Sequence, residues 1–190
     1  MLFALWKKQK RKDFLAILAY SMTTKEVEEF EKIYRNIRTT DERARVEAGI
    51  ETLLRSLYHP PPESFSSLID IEMPVPVVRP LKESIMHLAE KGHIESIKSM
   101  LERLQGILPH LHVLSLEVAF DPSEETIALL ASWIRKHIGT DTIMDLSIDR
   151  TLLAGVRLAY AGLYKEINLS HMLENVLQQK EEDIHRLLYE

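Results

Sequence analysis

Over the first half of the chain, apolar residues recur every three or four positions, and this spacing predicts helices. Residues 2–20 fit one helix, with Phe14, Leu15, Leu18 and Ala19 on a stripe. Ser21 and Thr23-Thr24 then offer a break and a cap. Val27, Phe30, Ile33, Tyr34 and Ile37 follow at helical spacing. Thr40 with Asp41-Glu42 opens a third helix towards Tyr58, and Val46, Ile50, Leu53, Leu54 and Leu57 mark its inner side. Leu81–Ala89 resumes the pattern. Gly92 suits a left-handed C-cap, and Ile94, Ile97, Leu101, Leu104 and Leu108 form another amphipathic helix that ends at Gly106 and Pro109. Such stripes bury one another as a bundle.

The segment 59–80 interrupts this pattern with six of the eight prolines. Proline lacks an N–H and restricts its predecessor, so 59–80 reads as an extended connector on the bundle surface, with a short turn at Glu63–Ile69. A proline-rich ligand for another protein is the functional alternative, and the flanking repetition typical of one is absent.

After His110 the period becomes two. Alternation over Leu116–Phe120 predicts a strand. Asp121-Pro-Ser-Glu-Glu125 starts a helix with acids at its positive end, and Ile127, Leu130, Ala131 and Ile134 face inward. Ile143–Ile148 is a second strand. Val156–Tyr160 and Leu163–Ile167 form a hairpin over Ala161-Gly162. Asn168 or Ser170 caps a last helix bearing Met172, Leu173, Val176 and Leu177. The expected fold class is α+β and mostly helical: a helical bundle over 1–109, then a small α/β domain with a short sheet over 110–190. Pro109–His112 is the expected hinge.

Composition narrows the chemistry. The chain has no cysteine, which excludes disulfides, cysteine–zinc sites and a cysteine nucleophile. Its net charge of −5 gives no general attraction to nucleic acid. No apolar run reaches the roughly 18 residues of a membrane span. The apolar start, Met1–Trp6, precedes the basic cluster Lys7–Lys12, an order opposite to that of a secretory signal. That start fits either an ordinary helix with a solvated basic face or contact with an anionic membrane surface. No Gly-rich phosphate loop, GxSxG or His-Glu-x-x-His motif is present. His110 and His112 would share one strand face, with no third ligand in sight. Glu124-Glu125 fits the dipole of its helix, Glu181-Glu182-Asp183 a solvated face, and Trp133 the core or an interface.

Residues 147–173 carry a more specific signal. Asp149 is followed by Leu153-Ala154-Gly155, a hairpin, and Asn168-Leu169-Ser170 before the closing helix. This arrangement resembles the C-terminal signature of the delta subunit of F-type ATP synthases, whose mitochondrial counterpart is oligomycin sensitivity-conferring protein. That family shows an aspartate, a Leu-Ile-Gly-Gly element, a hairpin, an Asp-x-Ser and a helix. Leu88-Ala-Glu-Lys-Gly-His93, the strand Leu116–Phe120 and Asp121-Pro122-Ser123 are similar to earlier family elements, so the likeness runs over about 82–178. Ala154 stands where the family has a second glycine, and Asn168 where it has an aspartate.

The resemblance implies a non-catalytic stator subunit without cofactor or metal. The bundle would hold the N-terminal helices of the alpha subunits of the catalytic head, with Phe14, Ile17, Phe30, Ile33 and Tyr34 as candidate contacts. The C-terminal domain would hold the b subunits of the peripheral stalk, with Leu173, Val176 and Leu177 as candidates. Asp149, Gly155, Asn168 and Ser170 form the structural motif. The chain would sit peripherally on the cytoplasmic face of a bacterial inner membrane and resist rotor torque during proton-driven ATP synthesis. A helical scaffold or regulatory interaction module sharing only the topology is the alternative.

Overall fold

The computed structural model describes residues 24–58, 64–89, 94–152 and 154–168. The expected first and last helices lie outside them. Helices α1 (Thr24–Tyr34), α2 (Thr40–Tyr58), α3 (Phe65–Glu72), α4 (Val75–Ala89) and α5 (Ile94–Ile107) come first. A 3-10 turn at Leu108–His110 leads into β1 (His112–Val118), α6 (Glu124–His137), β2 (Thr142–Ile148), β3 (Gly155–Tyr160) and β4 (Leu163–Asn168). The fold is α+β and mostly helical, with a mixed sheet in its C-terminal part.

The helices converge on one apolar core. Ile37, Val46, Ile50, Leu53, Val77, Leu81, Leu101 and Leu104 are all fully buried. Gly49 permits the close crossing of α2 and α3. A Cβ added there would lie 2.8 Å from Met73 Cε and 3.2 Å from the Glu72 carbonyl oxygen.

The proline-rich segment departs from the expected extended connector, because most of it is helical. Ser64 caps α3 by accepting from Ser67 N. Pro74 precedes α4 and accepts from Val77 N at 2.8 Å and Val78 N at 3.2 Å. Pro76 sits in the first turn, where an N–H has no helical partner to lose. Pro80 lies inside the helix, where proline costs roughly 3 kcal/mol. Val77 and Leu81, both 0% exposed, offset that cost, since burying such a side chain contributes about 1.5–3 kcal/mol.

The sheet order is β2-β1-β3-β4. β1 and β2 run parallel, connected through α6, while β1–β3 and β3–β4 are antiparallel. β1 starts four residues before the expected strand. Leu114, Leu116 and Val118 face a second core with Ala131, Ile134, Ile138, Met144 and Tyr160. The β3–β4 turn has positive φ at both Ala161 (53°) and Gly162 (79°), as a two-residue primed turn requires.

The two cores are not separated at Pro109. Leu111 and Ile143 pack into the helical core. The segment after α1 lies along the outer edge of β2: Thr39 bridges Met144 in parallel, and Met144 N donates to Arg38 O at 2.8 Å.

Two substitutions test these packing arguments by urea denaturation. Gly49→Ala lowers stability by about 1 kcal/mol, because overpacking of roughly 1–3 kcal/mol exceeds the helix-propensity gain of about 1 kcal/mol. Ala161→Asn raises it by about 0.5–1 kcal/mol, since asparagine tolerates the left-handed region that alanine resists.

Candidate functional site

Three of the four motif residues meet at one corner of the sheet. Asp149 follows β2, and its backbone N–H donates to Val118 O at 2.9 Å. Its Oδ1 accepts from Thr151 N at 2.9 Å and from Thr151 Oγ1 at 2.6 Å, a turn that aspartate closes with its own side chain. Leu152, 3% exposed, anchors that turn in the protein. Gly155 opens β3 directly opposite Asn168 of β4. Ser170 lies outside the described residues.

Arg157 ties the corner together. Strand register sets Glu117 and Glu166 on either side of it, and like-facing cross-strand neighbours attract when opposite in charge. Arg157 Nη1 donates to Asp149 Oδ2 at 2.6 Å and to Glu117 Oε2 at 3.3 Å, and Nε donates to Glu166 Oε2 at 3.2 Å. Tyr164 OH donates to Glu166 at 2.8 Å. Glu117 and Glu166 raise the Arg157 pKa, so it is a permanent cation. The bonds from the Thr151 hydroxyl and N–H, then Arg157, hold the Asp149 carboxyl below its usual range. Four strands' ends are thus fastened by one guanidinium.

The other sequence candidates divide. Phe30, Ile33 and Tyr34 are 3%, 1% and 2% exposed and belong to the helical core. Of these, Phe30 reaches a cleft of about 400 Å³ between α1, α4 and α5, shared with Leu88, Glu95, Met100 and Arg103. Phe14, Ile17, Leu173, Val176 and Leu177, like Trp6, lie outside the described residues. His110 and His112 do not share a strand face: His110 sits in the 3-10 turn and His112 in β1. His112 Nδ1 lies 3.3 Å from Asp141 Oδ2 instead. Among the described residues no cluster of three or more potential ligands is placed to hold a metal, and no helix is long and apolar enough to cross a membrane.

Two arrangements escaped the sequence reading. Arg38 joins the two halves through ion pairs with Glu42 and with Glu124 (2.5 Å), and Arg135 Nη2 donates to Ile37 O at 3.2 Å. Burial, and then Arg38, lower the Arg135 pKa. The second is the outer side of α6, where Leu129 and Trp133 are 65% and 51% exposed. Its signal was available: both residues fall off the inward stripe Ile127, Leu130, Ala131, Ile134.

No protein-family model matches the chain. Over 89 residues it is 24% identical to the ATP synthase subunit delta of Thermotoga petrophila and to that of Thermotoga maritima. Each match covers 43% of this chain and 49% of the relative, so the chain spans about half the length of these relatives. This is a distant likeness to a subunit of ATP synthase.

The Asp149 corner predicts acid sensitivity. A carboxyl whose pKa is lower folded than unfolded lets the unfolded chain bind more protons, so stability rises with pH through that window. The contribution is complete above about pH 4, the ordinary aspartate value, and is lost as pH falls through the lower folded value. Asp149→Asn should flatten that part of the stability profile below about pH 4, read from urea midpoints at several pH values. A profile parallel to that of the unsubstituted chain would refute the assignment.

Proposed function

We propose that this chain is a non-catalytic stator subunit of an F-type ATP synthase, linking the catalytic head to the peripheral stalk. The observation that carries this reading is the distant match to the delta subunits of two Thermotoga species. The order of the fold supports it, with a helical bundle preceding a small mixed sheet, as does the Asp149–Gly155–Asn168 corner.

In this reading the chain has two jobs. Residues 1–109 contact the N-terminal helices of the alpha subunits, through Phe14 and Ile17 and through the cleft beside Phe30. Phe30 lines that cleft, while Ile33 and Tyr34 serve the contact indirectly, as buried core of the helix that carries it. Residues 110–190 contact the b subunits. A partner helix laid in a groove derives affinity from a few buried apolar anchors. The chain binds no nucleotide and performs no step of ATP synthesis itself. It would lie on the cytoplasmic face of a bacterial inner membrane, held there by the complex.

Mild solubilisation of the host membranes, purification through a tag on this chain, and mass spectrometry of the eluate test the proposal. Alpha, beta and b subunits are expected together. Their absence from the eluate, with an intact synthase elsewhere in the extract, would leave the scaffold reading in its place.

A further inference from the structure

The inward face of the sheet is covered over only part of its width. Strand register sets Val156 opposite Val118, Leu158 opposite Leu116 and Leu163 opposite Tyr160, so these side chains share the face that bears the second core. Helix α6 packs on that face over β2, whereas among the described elements β3 and β4 make extensive contacts with strands alone. Val156 and Leu158 are partly buried, and Leu163 is 57% exposed. An apolar sheet face is buried against a further layer in a stable domain. The opposite face needs no such cover, since it presents Ser115, Glu117, Arg157 and Glu166.

The chain itself supplies a cover at the right place. β4 ends at Asn168, and residues 169–190, outside the described ones, continue from it. Their sequence puts Met172, Leu173, Val176, Leu177, Ile184 and Leu187 at helical spacing on one side. A helix over 171–188 is about 27 Å long, enough to run back along the roughly 20 Å of a strand of β4's length. Charge agrees as well. The segment carries five acids against Lys180 and Arg186, and the exposed Lys165 lies opposite Leu158, on the same face. Tethering decides between occupants. A segment attached at the edge of the face is present there at an effective concentration of about a millimolar, ahead of a free partner or a second copy.

We infer that residues 171–188 form a helix that docks beside α6 on the β3–β4 half of the sheet, with Leu173, Val176 and Leu177 against Val156, Leu158 and Leu163. Those three residues of the segment then belong to the chain's own core and are not free to bind the stalk. The inference stands apart from the stator reading, because the isolated full chain is enough to test it.

Hydrogen exchange of the full chain, read by mass spectrometry, is the test. The amides of 172–188 are expected to exchange at least about tenfold more slowly than those of an unstructured chain, the scale of one modest docking contact. Leu163→Asp changes an exposed side chain, and Val176→Asp with Leu177→Asp changes the segment. Each is expected to abolish that protection while α2 and α5 keep theirs. The amides of β3 and β4 report whether the hairpin survives, and Leu163→Ser takes the place of Leu163→Asp where the charge disturbs it. Unprotected amides over 172–188 in the unsubstituted chain overturn the inference. Protection that survives substitution at Leu163 also overturns it, since the segment then docks elsewhere. Protection that grows with chain concentration overturns it too, because a second copy then supplies the cover.

Discussion

The short segment Ile37–Thr40 is the joint on which the rest of the structure depends. It ends one helical element and begins another, and between them it runs along the edge of β2. An exposed strand edge is a row of unmet backbone hydrogen bonds. Here the Arg38 carbonyl meets Met144 N at 2.8 Å, and Thr40 Oγ1 donates to Asp145 at 3.0 Å. Ile37 is fully buried in the helical core, and Ile143 reaches that same core from β2. The joint thus protects the edge of the sheet and closes the side of the bundle with the same few residues.

Electrostatics decide how this joint is held. Arg135 leaves water to reach the Ile37 carbonyl, and its lowered pKa records that burial and the nearby Arg38 cation. Two guanidinium groups at one junction repel unless carboxylates intervene. Glu42 and Glu124 supply them, one from the α2 end and one from the α6 end, and both pair with Arg38. Glu42 is the main reason that the Arg38 pKa is raised. Glu124 therefore serves two roles, as an acid at the positive end of its helix and as a bridge to the helical half.

Sequence periodicity revealed the elements because each core position recurs at the period of its own backbone. That is why α2, α5, α6 and the β3–β4 hairpin match their expected places closely. The same signal could not separate a core residue from a partner-binding one. Phe30, Ile33 and Tyr34 recur at helical spacing because they are buried, so they are poor markers of a free groove. A residue out of phase with its stripe, as Trp133 is, marks exposure instead. Proline misled for a related reason: Pro74 and Pro76 occupy positions where the missing N–H costs nothing. The Arg157 network and the Ile37–Thr40 joint were illegible because both depend on which strands become neighbours. Strand pairing brings residues 40 apart in sequence, such as Glu117 and Arg157, within 3.3 Å, and no local pattern contains that.

Under the stator reading, the architecture sets a mechanical requirement. Load enters at the helical half and leaves at the sheet half, so it must cross between them. One route is the covalent chain through Leu108–His112, where Leu108 and Leu111 are buried and the turn is short. A second, among the described residues, is the Ile37–Thr40 joint, which adds a backbone pairing and two arginine contacts at a separate point. A single covalent tether transmits tension but lets two bodies swivel. A second attachment resists rotation about the first, because any swivel must break the pairing at Met144 or drag Arg135 off the Ile37 carbonyl. Two attachments between two cores are therefore what a torque-bearing adaptor needs, and a long flexible linker could not replace them.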